Sequence, residues 1–349
     1  MKRNKLVSRV GAGCIFLAMV LRFAATITWG SDIPLFAQPE VARYLLRAET
    51  GRDPAVTSKP TTEPTTAPTT TPTTVPTTIP TTQPTTVTPT TTPPAPKPLT
   101  FSAADAKYVT LTYSCDYRPA VSTLLQQRLD WSLAQDKPTV LILHTHGTES
   151  YTPTPDTAYK EYGGDFRTDD DRYNLISIGD ELTRLLEQAG IGVIHDRTPY
   201  DKDDYLDAYS NARTAIQSHL KKHPTIKLVL DLHRDAATYA DGTQWPTSAT
   251  VDGQRSAQIM FVVGTDAGGN THPNWKQNLS TAEKLHVLME KDCAGITRPI
   301  DLRAQRFNQD LSPAAMIVEV GSAGNTHIEA MTAIPVLADA IIALQYGTS

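Results

Sequence analysis

The stretch Thr139-Val140-Leu141-Ile142-Leu143-His144-Thr145-His146-Gly147-Thr148-Glu149-Ser150 decides how this chain is read. Five residues of buried-strand character lead directly into two imidazoles and a carboxylate. A second apolar run, Ile226–Leu232, ends in the same way, in His233-Arg234-Asp235, and a third, Ala314–Val320, carries Glu319 near its end. In an α/β sheet, functional groups from several strand ends converge at one edge. Histidines and carboxylates delivered by three such ends suit a metal-dependent hydrolase, which needs two or three ligands, an open position for water and a general base.

Strands alternating with helices account for the residues around these runs. Helical spacing covers Val121–Leu133, Tyr173–Ala189 (with Gly190 as the stop), Tyr209–Lys222, Trp275–Lys291 and Thr326–Tyr346, the last expected to bend near Pro335. Strand patterns cover Lys107–Tyr113, Thr139–Leu143, Ile191–His195, Ile226–Leu232, Ala257–Val263 and Ala314–Val320. The fold class that follows is α/β, a mostly parallel sheet flanked by helices.

That domain occupies residues 99–349, about 250 residues, enough for one α/β core. Residues 1–30 read as a membrane anchor or signal segment: Lys2, Arg3 and Lys5 precede an apolar Val10–Leu21, and Arg22 interrupts before Phe23–Trp29. No small-x-small cleavage site stands out, so the expectation is a retained single-pass anchor in the cell membrane, N-terminus inside and the rest extracytoplasmic. Residues 31–59 form a juxtamembrane stretch with a helical turn or two around Val41–Glu49. Within residues 60–98, Thr-Thr-x-Pro repeats over Thr61–Pro84 and less regular Thr/Pro sequence continues to Pro98; such a segment buries nothing, which predicts a disordered, extended spacer reaching on the order of 100 Å.

The net charge of −5 offers no basic stripe for phosphates, which excludes nucleic acid as the main partner. Cys14, Cys115 and Cys293 are too few and too scattered for a disulfide framework or a thiolate zinc site. A metal must therefore rest on His and carboxylate. His146 and Glu149 are placed to share one across the turn at Gly147, while His144, closer to the strand, reads as a supporting or core histidine. Period-two alternation puts Asp231 and His233 on one side of their strand, so Asp231 can orient the imidazole. Glu319 lies in an otherwise apolar strand, where it needs a cation, a metal or a proton. A general base explains it better than an ion pair with Arg234, Arg303 or Arg306. Asp170, in the acidic run Asp169–Asp171 before a helix, is the reserve carboxylate ligand. The remaining histidines, His195 among them, have no converging partners in the sequence pattern.

The segments VLILHTHGTESY, VLDLHRDA, PNWKQNLSTAEKLHVLME and RFNQDLSPAAMIVEVGSAGNT, with the strand at Gly190–Asp196, resemble the stage II sporulation protein P family over Lys107–Ser349. The resemblance implies a fold similar to the zinc N-acetylmuramoyl-L-alanine amidases and hydrolysis of peptidoglycan, as amidase and endopeptidase, in sporulation engulfment. It implies zinc as cofactor, His146 and His233 as zinc histidines and Glu319 as catalytic glutamate. The amidase pattern takes its glutamate ligand from the start of the helix after the first histidine, where this chain has Asp169–Asn174; Glu149 is preferred to Asp170 for that role. Arg234, Arg303 and Asn308 are expected to contact stem-peptide carboxylates or glycan hydroxyls. The resemblance also implies cooperation with the stage II sporulation proteins D and M. The alternative is a membrane-anchored wall-binding module without catalysis, against which Glu319 argues.

Overall fold

The computed structural model describes residues 99–133, 136–162, 166–239 and 243–346. The expected anchor, juxtamembrane stretch and Thr/Pro spacer lie outside them. Strands β1 (Leu111–Ser114), β2 (Val140–Leu143), β3 (Val193–His195), β4 (Leu228–Asp235), β7 (Ile259–Gly264), β8 (Ile300–Arg303) and β9 (Ala314–Ser322) form one sheet in the order β1-β8-β7-β9-β4-β2-β3. The short hairpin β5 (Ala249–Val251) and β6 (Gln254–Ser256) stands apart. The helices are α1 (Val121–Leu125), α2 (Leu175–Gln188), α3 (Ala208–Lys222), α4 (Trp275–Asp292) and α5 (His327–Tyr346).

The sheet is mostly parallel, as the alternating pattern predicts, with one reversal: β7 pairs antiparallel with β9. Because β1, β8 and β7 run parallel to one another, their C-terminal ends lie opposite those of β9, β4, β2 and β3. Side-chain alternation then separates two unequal faces. Val140 and Ile142, Leu228, Leu230 and Leu232, and Met316 and Val318 face the larger core with α2, α4 and α5. Leu141, Leu143, Val229 and Ala315 face a thin layer closed by Ala212 and Ile216 of α3, and Met260, Val262 and Ile317 are covered by Phe307. Asp231, His233 and Glu319 continue this thin face.

Three expected elements differ. The helix over Val121–Leu133 is a single turn and a half, Val121–Leu125. The strand over Lys107–Tyr113 is a 3-10 helix, Ala103–Tyr108, followed by β1, because Ser102 and Asp105 exchange capping hydrogen bonds there. The strand begun at Ile226 runs on to Asp235, so His233 and Arg234 belong to it. Helix α5 is apolar enough to cross a membrane, with a mean hydropathy of 1.6 over His327–Gln345. Its Ala333, Ile334, Leu337 and Ile341 are fully buried in the core of this domain.

Helix α4 encloses a carboxylate with no partner: both oxygens of Glu283 are buried without a hydrogen bond, and burial pushes its pKa up to about 8. Burial also pulls neighbouring Lys284 down to about 8, while its Nζ donates to Ser280 Oγ at 2.6 Å. A carboxyl that holds its proton more tightly folded than unfolded contributes stability in full below its ordinary pKa of 4.5, and that contribution is lost as pH rises toward 8. Thermal melting at pH 5, 6.5 and 8 should therefore show Glu283→Gln gaining on the wild type steadily across this window. Parallel melting curves for the two proteins would show that Glu283 is compensated.

Candidate active site at the ends of β2, β4 and β9

The turn after β2 is pinned on every side. Glu149 N donates to His146 O at 3.0 Å, Ser150 N to Phe166 O at 2.8 Å and Thr168 N to Thr148 O at 2.8 Å. Gly147 lets this turn approach Pro199, whose Cα would be 2.9 Å from any Cβ at position 147. Asp231 accepts from Thr145 N at 2.8 Å and Thr145 Oγ1 at 2.6 Å; Asp201 accepts from Thr148 N at 3.1 Å and Thr148 Oγ1 at 2.5 Å. Two carboxylates from other elements thus fix the backbone that carries His146 and Glu149.

His146, Glu149 and His233 come together. The two imidazole rings lie 5.4 Å apart, nearly perpendicular. His233 Nδ1 is 3.6 Å from Glu149 Oε2, and its Nε2 is 3.1 Å from Asp231 Oδ1, as the shared strand face anticipates. Glu319 sits directly across from His233 in the β4–β9 register. Its Oε2 is enclosed without a partner, and burial pushes its pKa up to about 8 against the opposing pull of His233. Burial alone would raise Glu149, but Arg234, His233 and Arg167 more than offset it and hold the carboxyl well below the usual range. Burial pulls His146 down to about 3, leaving a neutral ring. Burial would also lower His233, yet Asp231 and Glu149 raise it well above its ordinary value.

The donor chemistry fits a zinc ion: two imidazoles and a carboxylate, with His146 Nδ1 buried and without a hydrogen bond. Among the described residues, no three His, Cys, Asp or Glu side chains close on a common point; they are drawn instead into mutual ion pairs.

Of the other expected residues, Arg234 stays at the cluster and Asp170, Arg303 and Asn308 are engaged by other partners. Asp170 is held by Arg172 at 2.6 Å on the surface side of its loop. Arg234 is buried, donating from Nε to Ser150 O at 2.9 Å and from its backbone N to Glu149 Oε2 at 3.2 Å, so it braces the turn. Arg303 pairs with Asp301 at the opposite end of the sheet, a consequence of the reversed β7 and β8. Asn308 donates to Tyr209 O at 2.8 Å and ties its loop to α3.

Several groups at the site gave no sequence signal. Arg167 bridges Asp201 at 2.6 Å and Glu149 at 3.2 Å. Tyr205 stacks on His146 with ring centroids 4.5 Å apart, and Tyr209 meets it edge-on at 5.6 Å. These residues lie on loops or a helix start whose return to the site no local pattern encodes. His195 also has partners: its Nδ1 is 3.1 Å from Asp180 and its Nε2 is 2.8 Å from His144 Nε2. With Asp180 accepting from His195 Nδ1–H, the Nε2 of His195 accepts and His144 Nε2 donates.

The sequence model of the Stage II sporulation protein P family matches residues 55–342, and the chain belongs to that family. It is 29% identical over 221 residues to Stage II sporulation protein P of Bacillus subtilis strain 168, covering 58% of this chain and 50% of that protein. The chain thus spans about half the length of that curated relative. Among solved structures it is similar to the amidase AmiC2 of Nostoc punctiforme, with a TM-score of 0.35 and 12% identity over 58% of this chain and 94% of that one. The CwlD amidase of Clostridioides difficile gives 0.36 and 14%, over 58% and 96%.

Gly179 of α2 allows the His144–His195 contact, since a Cβ there would sit 2.7 Å from His144 Nε2 and closer still to His195 Nε2. Within a helix Gly→Ala ordinarily gains up to ~1 kcal/mol. Here overpacking should dominate, and Gly179→Ala should lose about 1–3 kcal/mol and lower Tm by several degrees. A higher Tm would remove the close contact from the account.

Proposed function

We propose, from membership of the stage II sporulation protein P family and from the buried cluster at the ends of β2, β4 and β9, that this chain is a peptidoglycan hydrolase of sporulation. The bond assigned is the amide between N-acetylmuramic acid and L-alanine, with stem-peptide cross-links as further substrates. The observation that carries the reading is Glu319, a carboxyl with one enclosed, unpartnered oxygen directly across from His233. A module that only binds the wall has no use for such a group, which costs several kcal/mol to bury unneutralised.

Zinc, held by His146, Glu149 and His233, would supply Lewis acidity toward the scissile carbonyl and toward the attacking water. The chain's own residues do the remaining work. Asp231 orients His233, and Arg167 and Arg234 keep Glu149 ionised as a ligand must be. Asp201, with Oδ2 3.9 Å from His146 Nδ1, steadies the turn that presents that ring. Glu319 takes a proton from water and returns it to the leaving amine; a carboxyl with a pKa near neutrality suits both directions of transfer. Residues 1–30 would hold the domain at the membrane on its extracytoplasmic side, residues 60–98 would give it reach, and proteins D and M of the same sporulation stage would be its partners.

Glu319→Gln is nearly isosteric but cannot take up a proton at neutral pH. It should keep its fold, zinc content and wall binding, and lose ~10²-fold or more in amide hydrolysis of purified peptidoglycan, read by mass spectrometry of the released stem peptides. Wild-type turnover by the variant would remove Glu319 from the chemistry. Zinc content measured by elemental analysis should fall in His146→Ala and in His233→Ala, and unchanged content in both would remove them as ligands.

A further inference from the structure

Beyond the cluster, the same end of the sheet carries an aromatic platform. Tyr239 and Trp245 lie on the segment that leaves β4, where Tyr239 N donates to Thr243 O and Trp245 N to Ala237 O, both at 2.8 Å. Their rings stand 6.3 Å apart at 45° and are 52% and 45% exposed, large values for residues of this size. The backbone beneath Trp245 is fixed: its carbonyl accepts from Ser322 Oγ, and Gly324 packs without room for a Cβ against Trp245 and Pro246. Arg298, from the loop before β8, lies 5.8 Å over the Trp245 ring and pairs with Asp235 at 2.7 Å. Asp235 is two residues beyond His233 in the same strand, about 7 Å along it. Platform and cluster therefore lie at the same end of β4.

We propose that Tyr239, Trp245 and Arg298 form a subsite for the glycan strand of the wall, next to the cluster that cuts the peptide from it. This rests on the peptidoglycan reading above. Two rigid, tilted aromatic faces present apolar surface with polar edges, which matches a chain of pyranose rings whose C–H faces are apolar and whose rims carry hydroxyls. A stem peptide would be recognised through its carboxylates, but Arg298 already has Asp235 as its counter-ion. Exposed aromatics held on a fixed backbone lose little freedom on binding.

The test uses the full-length chain in a Glu319→Gln background, so that substrate is bound and not consumed. Co-sedimentation with purified peptidoglycan is measured for this protein and for versions also carrying Tyr239→Ala and Trp245→Ala, with Trp245→Phe as the conservative control. The double truncation should weaken retention about tenfold or more, as removal of aromatic anchors does, and Trp245→Phe should restore most of it. Glycan strands stripped of peptide should compete with the wall for the parent, and free stem peptide should not. Undiminished retention by the double variant, or competition by stem peptide alone, overturns the subsite. Thermal melting separates this from misfolding: a double variant that melts like the parent is folded, and if it does not, Trp245→Phe and the competition arm decide. The hydrolase reading fails differently, in a protein with Glu319 intact that releases nothing from the wall yet still needs Trp245 to bind it.

Discussion

Three buried carboxylates, Glu149, Asp201 and Asp231, and the half-buried Glu319 are gathered at one end of the sheet, and the local structure is organised by how their charge is compensated. A buried carboxylate without partners costs several kcal/mol. Asp231 and Asp201 are satisfied by backbone and hydroxyl donors of Thr145 and Thr148, so the turn between β2 and Ser150 cannot move without exposing them. Glu149 is satisfied by Arg167, Arg234 and His233. Of the four, Glu319 alone keeps an oxygen with no partner, and burial leaves that carboxyl holding a proton up to a pKa of about 8. The donors of the network are thus engaged by Glu149, Asp201 and Asp231, and none is left for Glu319 Oε2.

The two faces of the sheet divide this labour. Helices α2, α4 and α5 bury the large apolar side, where the alternate residues of β2, β4, β7 and β9 are almost fully enclosed. The other side has α3 and the loop through Phe307, and its apolar contacts stop short of the strand ends. His233 and Glu319 lie where that thin cover gives out, with Tyr205 and Tyr209 as its rim. The thick face supplies the rigidity that an open site needs from its scaffold.

The sequence made the central strands legible because β2, β4 and β9 are continuous apolar runs that end in chemistry-bearing residues. It also placed Asp231 beside His233, since period-two alternation is independent of what surrounds the strand. It could not give the direction of β7 and β8, because an apolar strand reads the same either way. That single reversal moves Arg303 to the far end of the sheet. The β5–β6 hairpin does have a signal, Asp252-Gly253, whose φ angles of 50° and 78° are those a two-residue hairpin turn requires. Strand β8 follows a proline and mixes apolar with charged residues, as an alternating strand does. Arg167, Asp201 and Tyr205 were hidden for a different reason. Their roles come from loops that return to the site, and such returns are tertiary facts.

The proposed function has His146, Glu149 and His233 holding one metal ion beside Glu319. Anomalous diffraction at the zinc edge, from crystals grown with zinc, tests it most directly. One strong peak is expected within ~2.0–2.3 Å of a nitrogen of each histidine and an oxygen of Glu149, with Glu319 facing it and not bound to it. A peak at Asp170, or a crystal in which His233 stays between Asp231 and Glu149 with no zinc beside it, would remove these three residues as the metal ligands.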